Sequence, residues 1–218
     1  MINEYLENRD GLWWAKNETA CYNFTKKEID LPEHLMSFVS NKEVIVQAGG
    51  NMGWFTQLYA KCFERVYVFE PDNINFLCLT LNNPERHIMK YQACLGDSRN
   101  LVNVTYRDHD RGKNHIDIKT NLIKMQRNGI RPDKIPTLLI DDLNLDACSF
   151  IHLDIEGYEW YALNGAKNTI EKYLPVIAVE EVGHGDRYNK PFSEIENLLK
   201  FYNYKIVDRY RHEVVFSV

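Results

Sequence analysis

The sequence predicts an α/β fold: a doubly wound, Rossmann-like sheet, mostly parallel, with helices on both faces and an antiparallel hairpin at its C-terminal end. Three observations predict it. From Val44 onward, short β-branched runs alternate with stretches of helical periodicity. The first run ends in glycines, in VIVQAGGNMGWFTQLYA, and the next ends on a glutamate, in VYVFEPDNINF. The last two runs, YKIVDRY and HEVVFSV, flank Arg211 and close the chain as an antiparallel edge.

Each element follows from its residues. EVIVQA reads as a buried first strand. The segment after it carries Trp54, Phe55, Leu58, Tyr59, Cys62 and Phe63, a helical stripe that can lie against a sheet. RVYVFE is the second strand, and DNINFLCLTLNN the second helix with Asp72 as its N-cap. IMKYQACLG reads as a third strand, and LVNVT begins an extra one. SFIHLDI is a further buried strand. The helix after it places Leu163, Ala166, Ile170 and Leu174 at three-to-four spacing and stops at Pro175. VIAVEEV is the next strand, and SEIENLLKFY opens with Ser193 and Glu196 in capping-box register.

At 218 residues, 44% of them hydrophobic, the chain can bury a core and reads as one domain. Residues 1–43 form an N-terminal extension packed on that core, with a helix near EHLMSFVS. Residues 106–134 form a polar insertion with eight Lys or Arg against four Asp. It reads either as a solvated surface loop or as a basic lid over a hydrophilic acceptor. The net charge of −5 gives no general attraction to nucleic acid or acidic membrane. No apolar run reaches the length of a membrane span, and MINEYLENRDGLWWAKNE lacks the apolar core of a signal peptide. Five cysteines (Cys21, Cys62, Cys78, Cys94 and Cys148), never in a CxxC pair, read as reduced thiols. Together these features point to a cytoplasmic protein and leave its oligomeric state open.

A strand that ends in glycines and leads into a helix brings bare backbone N–H groups close to whatever sits above the sheet. Gly49, Gly50 and Gly53 allow angles or approaches that a side chain forbids. Glu70 stands at the end of the next strand, where a carboxylate can accept both hydroxyls of a ribose. The two stretches together describe a nucleoside site at the carboxyl edge of the sheet. The pattern is G-G-N-x-G, not the G-x-G-x-x-G of nicotinamide and flavin enzymes, and no Walker lysine follows it.

These stretches, with LLIDDL and FIHLDIEGYEWYALNGAKNTIEKYLPVIAVE, resemble the FkbM family of class I S-adenosyl-L-methionine-dependent methyltransferases. The resemblance runs from about Val44 to Glu181 and rests on F-E-P, then D-x-E-G-x-E, then a helix carrying N-G-A. It implies the class I methyltransferase fold, a methyltransferase domain over residues 44–218, and S-adenosyl-L-methionine as cofactor. By motif position, Gly49, Gly50, Asn51 and Gly53 would line the methionine and ribose part. Glu70 would hold the ribose hydroxyls, Pro71 and Asn75 would shape the adenine side, and Cys94 would lie near the adenine through its backbone. Asp154 would face the methionine end and the acceptor. Two positions depart from the family: Gln47 stands where an acid is usual, and His152 where a lysine is. Gln47 keeps an amide oxygen for the cofactor's ammonium but brings no charge.

Methyl transfer from a sulfonium asks the protein for alignment, exclusion of water and removal of the acceptor's proton. Candidate bases are Asp154, Glu156, Glu159, Glu180, Glu181 and His184. Asp154 and Glu180 end predicted core strands, where open sheets bind ligands, and His184 has the unperturbed pKa nearest neutrality. Against these readings, Glu156 could cap the helix starting near Gly157, Glu159 could be a solvated helix residue, and His184 a surface histidine. A divalent metal is possible at Asp141 with Asp142, or at Asp154 with Glu180, but no ligand spacing indicates one. His152 reads as a core histidine, and Trp13-Trp14 as packing residues.

The leading expectation is therefore O-methylation of a hydroxyl on a sugar, glycan or small metabolite. One alternative, RNA ribose methylation, usually needs lysines beside the catalytic acid, and the negative net charge argues against it. The other, a non-catalytic binding module, is favoured only by Gln47.

Overall fold

The computed structural model describes residues 2–107, 110–118 and 134–218. The chain opens with a turn of helix (α1, Ile2–Tyr5) and a hairpin of β1 (Leu6–Arg9) and β2 (Leu12–Ala15), then α2 (Ala20–Lys27) and α3 (Leu31–Met36). The alternating part follows: β3 (Val44–Ala48), α4 (Trp54–Ala60), β4 (Arg65–Phe69), α5 (Asn73–Asn82) and β5 (Ile88–Tyr91). After β6 (Cys94–Leu95), β7 (Asn100–Thr105), β8 (His115–Asp117) and β9 (Lys134–Leu138) the alternation resumes. It continues as β10 (Phe150–Leu153), α6 (Glu159–Asn164), α7 (Lys167–Tyr173), β11 (Val176–Glu180), α8 (Phe192–Phe201), β12 (Lys205–Tyr210) and β13 (Glu213–Ser217).

Seven strands form the main sheet in the order β12-β13-β11-β10-β3-β4-β5. β10, β11, β3, β4 and β5 run parallel, and β13 pairs antiparallel to both β11 and β12. Both faces are covered, which is why the central strands read as continuous apolar runs. Val44, Val46 and Ala48 of β3 pack with Ala162, Leu163, Ile170 and Leu199 on one face. Ile45 packs with Leu35, Tyr59 and Leu79 on the other. The chain crosses between these layers at the β3–β10 boundary. An open α/β sheet binds ligands at such a switch point, beyond the carboxyl ends of its strands.

Four local expectations need correction. The third strand is broken. β5 leaves the main sheet at Tyr91, and Cys94 and Leu95 instead pair with Thr137 and Leu138 in a second sheet, ordered β6-β9-β7-β8. The extra strand β7 belongs to that sheet. The helix after β10 is two helices, because Asp141 takes hydrogen bonds from the backbone N–H of Asn168 (3.1 Å) and Thr169 (2.8 Å) and so caps a fresh start. The capping box at Ser193 does not form: the N-cap of α8 is Pro191, two residues earlier, with no side-chain cap. Asp72 does cap α5, accepting from Ile74 and Asn75 at 2.8 Å each. Among the described residues no helix is long and apolar enough to cross a membrane.

Candidate active site

A cavity of about 430 Å³ lies over the carboxyl ends of β3, β4, β10 and β11. That is within the usual range of about 300–1,000 Å³ for small-ligand sites. Its floor begins at Gly49, which has a φ of 83°. A β-carbon there would lie 1.9 Å from the carbonyl oxygen of Asp154, so only glycine lets the ends of β3 and β10 close together. The N–H groups of Gly49 and Gly50 both donate to the Phe69 carbonyl, at 3.1 and 2.9 Å. Asn51 N–H donates to Glu70 Oε2 (2.7 Å), and Asp72 N–H to Glu70 Oε1 (2.8 Å). The turn's amides are thus spent within the protein and form no anion cradle. This corrects the expectation of bare N–H groups facing the ligand.

Glu70 is only 4% exposed, and burial pushes its carboxyl up to about 8, with Asp72 adding to the rise. Gly49, Asn51, Glu70, Pro71 and Cys94 all line the cavity; Gln47, Gly50, Gly53 and Asn75 do not. Gly50 packs on Val68, and Gly53 starts α4 against Asn83. Asn75 is buried behind the wall. Gln47 turns to α4, accepting from Thr56 Oγ1 at 2.8 Å. The residue opposite it on β10 is His152, whose Nδ1 bonds the Tyr59 hydroxyl at 2.9 Å. The two departures from the family pattern are therefore cross-strand neighbours inside the core. An amide and an imidazole stand where an acid and a lysine are usual.

Asp154, Glu156, Glu180 and His184 gather at the other end of the cavity. Burial raises the carboxyls of Asp154 and Glu180, each lifted further by the other acids around them, and Glu180 lies the higher. Glu156 rises to about 7, by burial and then by the charge of Asp154. His184 is lowered by burial and by Arg187. Glu159 is not solvated: at 2% exposure it accepts from Ile155 N–H (3.0 Å) and Gly157 N–H (3.2 Å), tying the turn that presents Glu156. Glu181 lies off the cavity. Asp142 pairs with Arg99, and Asp141 caps α7, so that pair is not a metal site.

Two walls come from outside the strand-end motifs. One is α2 of the N-terminal segment, which contributes Cys21 and Phe24. The other is the stretch 110–116, within the described part of the polar insertion. Arg111 bonds the buried Asp72 through Nη1 at 2.7 Å, and its N–H donates to Glu18 Oε2 at 2.9 Å. Lys113 pairs with Asp110. The described part of the insertion thus covers the carboxyl edge, though Arg111 and Lys113 are engaged with acids of this chain. Residues 119–133 lie outside the described part.

A glycine-floored cavity thus lies at the switch point, with a strand-end carboxylate at one end and a group of acids at the other. The chain belongs to the FkbM methyltransferase family: the model described as "Methyltransferase FkbM domain" matches residues 44–206. Among solved structures it resembles a methyltransferase FkbM from Methylobacillus flagellatus KT, with 22% identity and a TM-score of 0.54. The alignment covers 81% of this chain and 44% of that one, so this chain spans less than half of its length. The N-methyltransferase NodS from Bradyrhizobium japonicum also aligns, at 10% identity over 89% and 96% of the two chains, with a TM-score of 0.48. No curated protein matches the sequence.

The family implies S-adenosyl-L-methionine, and the residues present fit it. Glu70 offers two oxygens at the wall, each with a lone pair left for a hydroxyl. The side-chain oxygen of Asn51 is buried without a partner on the same wall. Phe69, Ala93 and Leu95 give an apolar face for a flat base.

Proposed function

We propose that this protein transfers a methyl group from S-adenosyl-L-methionine to a hydroxyl oxygen of a sugar, glycan or small polar metabolite. The observation that carries the reading is one continuous cavity with Glu70 at one end and Asp154, Glu156 and Glu180 at the other. When bound, the cofactor supplies a methyl group already activated by the positive charge on sulfur. The chain's own work is then to fix the direction of approach, exclude water and take a proton. Glu70 holds the ribose, and Gly49 lets the donor lie close to the Asp154 backbone. The acids at the far end disfavour an anionic acceptor oxygen and favour a neutral hydroxyl that gives up its proton as it reacts. Asp154, at the end of β10 with its carboxyl raised by burial, is well placed to receive that proton, with Glu156 and Glu180 keeping the region negative. Because Gln47 stands off the cavity, its lack of charge no longer supports a non-catalytic module.

The test is calorimetric titration with S-adenosyl-L-methionine and its demethylated product, on the wild type and Glu70→Ala. Two hydrogen bonds to ribose hydroxyls contribute about 0.5–1.5 kcal/mol each. The variant should therefore bind about tenfold more weakly. Unchanged affinity would refute the ribose assignment, and no binding by the wild type would refute the whole reading.

A further inference from the structure

The acceptor end holds a group of side chains that methyl transfer alone does not explain. Glu156 Oε2 lies 2.9 Å from His184 Nδ1, and Glu180 Oε2 lies 4.0 Å from the same nitrogen. One ligand atom from each of the three lies within 4.8 Å of the others. We propose that Glu156, Glu180 and His184 bind one divalent first-row metal ion, of the manganese or zinc type, at the acceptor end of the cavity.

Two further observations point to a ligand. The Glu156 side chain is 9% exposed, yet its carboxylate receives no hydrogen bond from a described residue. His184 Nδ1, the ring nitrogen facing both carboxylates, is buried and has no hydrogen-bond partner. The two face each other as an ion-pair contact at 2.9 Å but not in hydrogen-bond geometry, which leaves their lone pairs open to an ion.

The arrangement is also held in place independently of the three side chains. Glu156 has a φ of 59°, a left-handed conformation that a glutamate adopts only where its surroundings impose it. The next residue, Gly157, has a φ of 100°, and a β-carbon there would lie 2.4 Å from the His184 carbonyl group. That glycine lets the loop after β10 touch the loop after β11. Arg187 Nη1 fastens the contact by donating to the Glu156 carbonyl at 3.0 Å. The ligands are therefore brought together by the backbone.

The dimensions suit an ion. Metal–ligand bonds of about 2.0–2.2 Å put neighbouring ligands of one ion about 3–3.5 Å apart, so only small rotations about the side chains are needed. Two carboxylates and an imidazole match manganese or zinc better than magnesium, which prefers oxygen alone. Three protein ligands leave positions open toward the cavity, as catalytic metal sites do. Resting on the methyltransferase reading, this narrows the acceptor to one carrying its hydroxyl beside a second oxygen, such as a vicinal diol or a hydroxy acid. Both oxygens could then reach the ion.

The test uses the metal alone, with no cofactor present, so its outcome is independent of methyl transfer. Mn²⁺ titration followed by the electron paramagnetic resonance of the free ion, and Zn²⁺ titration by calorimetry, should each give one ion per chain. Affinity should fall at least about tenfold in Glu156→Gln and in His184→Ala. It should stay unchanged in Asp142→Asn, whose carboxylate pairs with Arg99. Thermal melts establish that each variant is folded, and Glu180→Gln serves where one is not. No saturable binding of either ion at millimolar concentration, or binding that these variants leave intact, would overturn the site.

Discussion

The two ends of the cavity are built on opposite principles. At the β3–β4 end four amides of the turns are answered within the chain: Gly49 and Gly50 donate to Phe69, and Asn51 and Asp72 donate to Glu70. At the β10–β11 end, Asp154, Glu156 and Glu180 receive no hydrogen bond from the described residues, and their carboxyls are all raised. The first end is a finished mould that a ligand enters with little rearrangement. The second holds unsatisfied charge that must be met by a proton, a cation or an acceptor. Rigidity therefore belongs to donor binding, and the chemistry belongs to the end left electrostatically incomplete.

The largest expected effect comes from placing a methyl group at the glycine of each end. At Gly49 the new β-carbon would sit 1.9 Å from a backbone oxygen in the middle of the sheet, at a φ of 83°. Neither strand can move without breaking its ladder, so Gly49→Ala should lose on the order of 3–5 kcal/mol, much of a typical domain's stability. At Gly157 the clash is 2.4 Å with a loop, which can shift. Gly157→Ala should lose about 1–3 kcal/mol. Urea unfolding of both variants measures this, and equal losses would erase the contrast between a rigid and an adaptable end.

A middle-sized effect is the dependence of stability on pH. Burial raises Glu156 to about 7 and Glu70 and Glu159 each to about 8, from unfolded values near 4.5. Between those limits the folded chain holds protons that the unfolded chain has released. The stability these groups allow is complete below about pH 4.5 and is lost as the pH climbs toward 7–8. The melting temperature should therefore fall from pH 5 to pH 8. Glu156→Gln should remove part of that slope below about pH 7, on the order of 1–3 kcal/mol. A melting temperature that rises over this range would mean that cations answer these acids in the folded chain.

The same contrast governs what was legible in the sequence. The donor end announces itself locally: a glycine turn directly after β3 and a glutamate ending β4 are contiguous motifs with one geometric meaning. Asp72 as the cap of α5 is legible for the same reason, since its partners are two and three residues away. The acceptor end is assembled from loops whose contact depends on Gly157 meeting His184, which no local pattern encodes. Glu159 reads as a solvated helix residue, because sequence cannot tell that its carboxylate turns back to the amides of Ile155 and Gly157. The broken third strand was missed because IMKYQACLG has unbroken β propensity; pairing with β9, more than forty residues on, draws Cys94 away. Gln47 reads as a cofactor residue by motif position, while strand alternation turns its side chain toward Thr56.

The smallest effect tests to which end the stretch 110–116 belongs. Lys113 lines the cavity, pairs with Asp110, and its side chain is 57% exposed. Exposed pairs of this kind contribute about 0–1 kcal/mol, so Lys113→Glu should barely move the melting temperature. The charge of Lys113 acts on Glu156, lowering its carboxyl, and the nearest acids to the donor end are engaged by Arg111 instead. Reversing Lys113 should thus leave affinity for S-adenosyl-L-methionine within about twofold, because its exposed charge is screened and acts on Glu156. Its effect should appear as a higher KM for a polar acceptor, the new carboxylate adding to an end already rich in acids. Calorimetry with the cofactor decides the matter before any acceptor is known. If Lys113→Glu weakens cofactor binding as much as Glu70→Ala does, the stretch 110–116 serves the donor end, and the division between a finished and an unfinished half fails there.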